Sequence, residues 1–403
     1  MPERTGGVVF AKLFPNPAEP YRGIFVADQC RATADAVDWA VVAPVPLVPR
    51  FAARLFKKPY VRGDSTFDGR PLLRPRYPVL PKRMLYATVA PLIAITARSA
   101  FSEACRVVGA RFVHAHDLYP SGAAARRLCE QAGLPYVLTV HGLDLYSNLG
   151  NPRWRSEIVA AARSAEAIVC VGSRLARDCV AELGVDPART LVIPNTYDAD
   201  RFVPTTRSRD GSRMRLVSLG RLSYEKGHDV LLRALRRALD DGCEATLTLI
   251  GDGPERAALE QLAGELGVEQ RVAFTGTLLG SDVPAAFAEA DAFVLPSRDE
   301  GFGVALIEAM ATGLPVVATR SGGPEDIVSE DDGLLVGPGD PDELAGAILA
   351  ISSRLHEYDG GFIARRTAER YSAEAVGGRL ARLYGEVLSG MPLSGTLAMQ
   401  STS

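Results

Sequence analysis

Short runs of aliphatic and β-branched residues alternate with amphipathic stretches of helical period along most of the chain, and a single polar interruption divides them into two series. The first series has strand-like runs at residues 8–11, 40–43, 112–115, 136–140, 167–171 and 190–193. A second begins at 216–219 and continues through 245–250, 272–274, 292–295, 316–319 and 334–336. Helical patterns fall between them, at 24–36, 82–108 and 123–132, then at 229–239, 254–266, 283–288 and 304–311. Strands separated by helices cannot pair as hairpins, so each series predicts a parallel sheet covered by helices, a Rossmann-like α/β domain. The interruption, residues 198–215 (DADRFVPTTRSRDGSRMR), is the linker expected between them.

With 403 residues the chain is long enough for two such cores. A net charge of −3 gives no reason to expect nucleic acid as a partner. Six cysteines without a CxxC pair read as reduced thiols, and the opening residues MPERTGGVVFAKLFP do not resemble a secretory signal, so a cytoplasmic protein is expected. Ahead of the C-terminal tail, the longest uncharged stretch, residues 84–97, holds 14 residues and includes Pro91, short of the roughly 20 that span a bilayer.

Charge is nonetheless uneven. Between Arg50 and Arg83 ten basic residues stand against Asp64 and Asp68, interleaved with Phe51, Phe56, Tyr60, Phe67 and Tyr77. Three readings stay open for this segment: a peripheral contact with an anionic membrane at the inner face of the cell, a solvated proline-rich loop and, in last place, a contact with nucleic acid.

Chemistry concentrates in residues 295–323, LPSRDEGFGVALIEAMATGLPVVATRSGG, which read as strand, loop, helix and strand. Glu300 lies in the loop, and Glu308 interrupts an otherwise apolar helix. A carboxylate there is costly to bury unless donors meet it, and sugar or ribose hydroxyls are suitable donors. Gly301 and Gly303 let a ligand approach the backbone where the next helix begins. Arg221 and Lys226 follow the first strand of the second series, where a guanidinium fork and a compact ammonium suit phosphate oxygens. In the first series His141 stands just past a strand, the end at which parallel sheets bind ligands. His114 and His116, two apart, share one strand face, so metal binding is conceivable there, although no third ligand is evident nearby. Asp331 and Asp332 read as a surface turn before Gly333 rather than as a metal-binding pair.

Glu300-Gly-Phe-Gly followed by Glu308-Ala-Met resembles the paired-glutamate motif of retaining nucleotide-sugar glycosyltransferases of the GT-B fold, family 4 (group 1), including those that build bacterial surface polysaccharides. The resemblance implies two Rossmann-like domains facing a central cleft, an acceptor domain at 1–200 and a nucleotide-sugar donor domain at 201–370. It further implies a helix at 371–390 that crosses back to the first domain, ahead of a disordered tail at 391–403. Arg221 and Lys226, after Gly220, would clamp the donor diphosphate in place of a metal, so no metal or other cofactor is expected. Glu300 with the backbone of Gly301, Phe302 and Gly303 would hold the sugar, and Glu308 the ribose. Gly251, Asp252, Thr275 and Leu278 would border the base. Gly23, in FPNPAEPYRG, would face the diphosphate, and His141 would line the sugar pocket. The acceptor would be lipid-linked or a saccharide. Two other readings of the same motifs are a nucleotide-sugar epimerase of this fold and a non-catalytic nucleotide-sugar binder.

Overall fold

The computed structural model describes residues 4–17, 19–47, 63–78, 88–146, 149–206 and 213–397. The chain divides into two compact units: Met1–Thr196 with Val376–Ser403, and Tyr197–Ala375. Each has its own sheet and its own apolar core.

In the first unit the strands are β1 (Thr5–Ala11), β2 (Val37–Val42), β3 (Val45–Pro46), β4 (Ser65–Phe67), β5 (Arg70–Leu73), β6 (Arg76–Tyr77), β7 (Ala110–His116), β8 (Tyr136–Val140), β9 (Ala167–Cys170) and β10 (Thr190–Val192). Eight of them form one sheet in the order β10-β9-β8-β7-β1-β2-β5-β4, parallel except for the short pair β4 and β5. Strands covered on both faces are apolar throughout, which is why β8 (YVLTV) is buried at every position and reads as a run without alternation. The order reverses direction between β1 and β7, so the loops leaving those strands diverge and leave a crevice at their carboxyl ends.

The second unit holds β11 (Met214–Leu219), β12 (Ala245–Ile250), β13 (Val272–Gly276), β14 (Ala292–Leu295), β15 (Val316–Thr319) and β16 (Gly333–Val336). All six are parallel, in the order β13-β12-β11-β14-β15-β16, with the reversal between β11 and β14. Helix α1 (His228–Asp240) follows β11 and buries Val230, Leu231, Leu232, Ala234, Leu235 and Ala238 on the sheet. At roughly 1.5–3 kcal/mol for each large aliphatic side chain, that face alone outweighs the intrinsic cost of ordering the helix.

Several expectations need correction. The helix expected from residue 82 is Val89–Val108, with Pro91 in its first turn, where a missing N–H costs nothing; 79–87 lie outside the described residues. That expected at 24–36 ends at Ala32, because Thr33 leaves the helix and accepts a hydrogen bond from Trp39 Nε1 at 2.9 Å. Asp331 and Asp332 do form a turn before Gly333, with Asp331 exposed, but Asp332 is buried and pairs with Arg366 at 2.6 Å. The tail is ordered through residue 397: Thr396 is buried and bridges Leu191, and Ser394 N–H donates to Glu386. Of the basic and aromatic segment 50–83, residues 50–62 and 79–83 lie outside the described residues. Within the rest, Arg74 is buried, donating to Ser65 Oγ and to the Pro15 carbonyl, while Phe67 and Tyr77 belong to the core. These three are structural and face no lipid. Among the described residues, no helix is long and apolar enough to cross a membrane.

Candidate functional site

In the second unit, charged and hydroxyl-bearing side chains gather where the strand order reverses. Lys226 leaves β11 and Glu300 leaves β14, the two strands flanking that point, and Lys226 Nζ donates to Glu300 Oε2 at 2.6 Å. Ser297 Oγ donates to the same carboxylate oxygen at 3.2 Å. Arg298 N–H bonds the Glu225 carbonyl at 2.8 Å, tying the two loops together. The Arg298 guanidinium grips Asp229 through two bonds of 2.7 Å and lies 4.3 Å over the ring of Tyr224. The sequence alone gives none of Ser297, Tyr224, Asp229 or Arg298 a role, and only their closeness in the chain to Lys226 and Glu300 could have flagged them.

Arg221 is exposed on the loop that carries Lys226. Beneath it, Gly220 donates to the Ile250 carbonyl at 3.0 Å. The Gly251 backbone passes so close that a Cβ there would meet the Gly220 carbonyl oxygen at 1.9 Å. Gly251 is therefore required by packing between the ends of β11 and β12. Asp252 and Thr275 are exposed at the neighbouring strand ends and Leu278 is half-buried, with Gly251 N–H bonding the Gly276 carbonyl at 2.9 Å. Gly301 is half-buried in the Glu300 loop, and Gly303 (φ +103°) opens the helix Val304–Ala311. Glu308 is half-buried on that helix, whereas the Phe302 side chain turns into the core against Tyr371.

His228 lies at the start of α1, 3% exposed, with its Nδ1 unpartnered among the described residues. Burial, reinforced by Lys226, pushes its pKa down to about 4.

The first unit has a matching cluster at its own reversal point. His114 and His116 end β7, and His141 follows β8. His114 Nδ1 meets Tyr384 Oη at 2.8 Å and its Nε2 meets Thr139 Oγ1 at 2.7 Å. His116 Nδ1 lies 3.2 Å from His141 Nε2, and the His141 ring packs against Phe25 at 4.4 Å. Asp144 accepts hydrogen bonds from the N–H groups of His141, Gly142 and Leu118, which fixes the loop that bears His141. Among the described residues, no three His, Cys, Asp or Glu side chains are placed to hold a metal ion together. Gly23 (φ +71°) begins the helix Ile24–Ala32, and a Cβ there would strike the Leu13 backbone at 2.5 Å. Its own loop therefore requires glycine.

Asp117, the residue after His116, stands at φ +69°, a conformation that costs a non-glycine residue roughly 1–3 kcal/mol. Its carboxyl accepts from Ser121 N–H and Ser121 Oγ at 2.9 and 2.7 Å, and burial lifts its pKa to about 7. The backbone strain is invisible in sequence, although the His-Ala-His-Asp run marks the place.

Burial pushes both His114 and His141 down to about 3, and His116 well below its ordinary value. Unfolded, these imidazoles bind a proton near pH 6.5, so stability is complete above that pH and falls as pH drops from 6.5 toward 3. For His114, 1% exposed, the loss is up to about 1.4 kcal/mol per pH unit. Asp117 has the opposite sign, losing stability as pH rises from about 4 to 7, and offsets one of the histidines. The urea midpoint at pH 5 is therefore expected below that at pH 7; an equal or higher midpoint would contradict the buried, neutral state of the cluster.

Residues 213–354 match the family described as "Glycosyl transferases group 1", and residues 50–201 match "Glycosyltransferase Family 4". The Bacillus subtilis protein named "Putative teichuronic acid biosynthesis glycosyltransferase TuaC" is 30% identical over 353 residues, covering 83% of this chain and 86% of its own. Among solved structures, sucrose-phosphate synthase from Thermosynechococcus elongatus superposes with a TM-score of 0.77 at 20% identity, over 96% of this chain and 100% of the other. Anabaena HepE in complex with UDP-glucose gives 0.69 at 20% identity, over 95% of this chain and 100% of the other. The chain belongs to the group 1, or family 4, glycosyltransferases and has their GT-B fold.

Proposed function

We propose that the protein is a retaining, metal-independent glycosyltransferase that moves a sugar from a nucleotide-diphosphate sugar to a lipid-linked or saccharide acceptor. The observation that carries this reading is the Lys226–Glu300 pair at the β11/β14 reversal point, with Arg221 on the same loop as Lys226. HepE, a structural neighbour, binds UDP-glucose, which supports the choice of donor class.

Departure of the nucleotide leaves negative charge on the phosphate. Arg221 and Lys226 meet that charge as preorganised cations. Glu300 grips sugar hydroxyls, Glu308 takes the ribose, and the Gly251, Asp252, Thr275 and Leu278 corner borders the base. In the transfer, the bond from the anomeric carbon to the phosphate oxygen breaks and one to the acceptor oxygen forms on the same face. The acceptor's proton passes to the departing phosphate, so no protein nucleophile is required. His141 hydrogen-bonds a sugar hydroxyl during transfer.

The test is release of nucleoside diphosphate from a panel of nucleotide sugars, with and without acceptors. Release only in the presence of an acceptor, with the product anomer retained and activity surviving a chelator, is expected. Donor conversion without an acceptor would favour the epimerase, and loss of activity with a chelator would end the metal-independent mechanism. Glu308→Gln is expected to weaken donor binding roughly 10-fold, the scale of one hydrogen bond to a charged group, and to change turnover less. Unchanged donor affinity by calorimetry would remove the ribose role.

A further inference from the structure

We propose that His116 is a positioning residue: it donates its Nδ1 proton to His141 Nε2 and so holds His141 in the Nδ1–H tautomer, which offers a donor rather than an acceptor to the sugar. The inference rests on the sugar-binding role of His141 given above. Its first support is geometric. The two nitrogens are 3.2 Å apart, the ring centroids 5.5 Å, and the planes differ by 16°. Rings that are nearly coplanar, and separated by little more than the N···N distance plus their own radii, lie edge to edge. A face-to-face stack would bring the centroids closer. An in-plane N–H···N bond is the interaction such an arrangement makes.

One of the two nitrogens must carry the hydrogen and the other the lone pair, which leaves two arrangements. If His141 Nε2 were the donor, His116 would carry its own hydrogen on Nε2. That atom is buried and has no partner among the described residues, in a side chain 2% exposed. A buried N–H without an acceptor is the rarer and costlier defect, whereas an unused lone pair is tolerated more often. With His116 as donor from Nδ1, the buried Nε2 is only a bare lone pair. His141 then accepts at Nε2 and carries its hydrogen on Nδ1.

His116 is itself held in place. The His114 ring packs on it at 4.3 Å, and His114 is fixed at both nitrogens by Thr139 and Tyr384. Because both imidazoles stay neutral through the physiological pH range, tautomer rather than charge decides what His141 can offer.

The chain has five histidines, so a sample labelled with 15N only in histidine gives a spectrum simple enough to assign by single substitutions. His141 is expected to show a protonated Nδ1 and a bare Nε2; a protonated Nε2 on His141 in the wild-type protein overturns the proposal. His116→Leu removes the donor and is expected to shift His141 toward the Nε2–H form that free side chains prefer, and to slow transfer roughly 10-fold. His116→Asn places an amide N–H where Nδ1–H stood and is expected to restore the tautomer and most of that loss. A His141 tautomer that does not respond to His116→Leu overturns the proposal. Should that variant not fold, the wild-type and His116→Asn spectra still decide. A tautomer that shifts as stated without any change in rate supports the assignment and counts instead against the sugar-binding role of His141.

Discussion

Lys226→Ala is expected to lower turnover by at least about 100-fold, and Arg221→Ala by a similar factor, the scale set by losing one preorganised charge stabiliser. The ammonium has three donors, and one is already committed to Glu300 at 2.6 Å, so the pair can stay joined while the remaining donors reach a phosphate. Side-chain exposures of 24% for Lys226 and 12% for Glu300 place the pair between surface and core, where removing the cation also leaves a poorly solvated carboxylate. Lys226→Ala therefore acts in two ways, and the double variant with Glu300→Gln separates them. If the lysine serves only to neutralise Glu300, the double variant turns over as fast as Glu300→Gln alone and is as stable. If it serves the diphosphate, stability returns while turnover stays far below that of Glu300→Gln alone. Arg221 is exposed, so its loss should leave the melting temperature almost unchanged while turnover falls. Changes below threefold in both single variants would remove the diphosphate clamp altogether.

Much of this arrangement was legible in the sequence for one reason: a parallel α/β unit writes its strands as apolar runs and presents its chemistry just after them. Lys226, Glu300 and His141 stand a few residues beyond β11, β14 and β8, and the positions were readable because the strands were. What the sequence could not show was which strand ends are neighbours. The orders β13-β12-β11-β14-β15-β16 and β10-β9-β8-β7-β1-β2-β5-β4 come from crossover connections, and these bring Lys226 beside Glu300 and His116 beside His141. Arg74 misled for a different reason. A basic residue in a proline-rich stretch reads as solvated, yet its guanidinium is consumed by Ser65 and the Pro15 carbonyl, partners that no local pattern links to it. Asp332 is similar, since its partner Arg366 lies on a helix 34 residues away. Phe302 divides within one residue: its backbone belongs to the motif while its side chain packs in the core.

Gly227→Ala is expected to cost about 3 kcal/mol or more, lowering the unfolding temperature of the second unit by roughly 6–12 °C, and to remove activity as thoroughly as Lys226→Ala. Gly227 stands at φ +66° and caps the helix α1, and a Cβ there would lie 2.1 Å from the Pro296 carbonyl oxygen. Both atoms of that collision belong to the backbone or are fixed to it, so no rotamer change can relieve it. The Lys226 loop would have to separate from the segment after β14, stretching the 2.8 Å bond from Arg298 N–H to the Glu225 carbonyl and drawing Lys226 away from Glu300. Gly267 is the control. It has the same φ of +66°, and a Cβ there would meet nothing within 4 Å, so Gly267→Ala should show only the left-handed backbone penalty of roughly 1–2 kcal/mol. Thermal unfolding of the two variants side by side then isolates the close approach from the backbone conformation. Equal shifts in both would mean that the two loops can part without loss, and that the joining of Lys226 to Glu300 does not depend on glycine at this position.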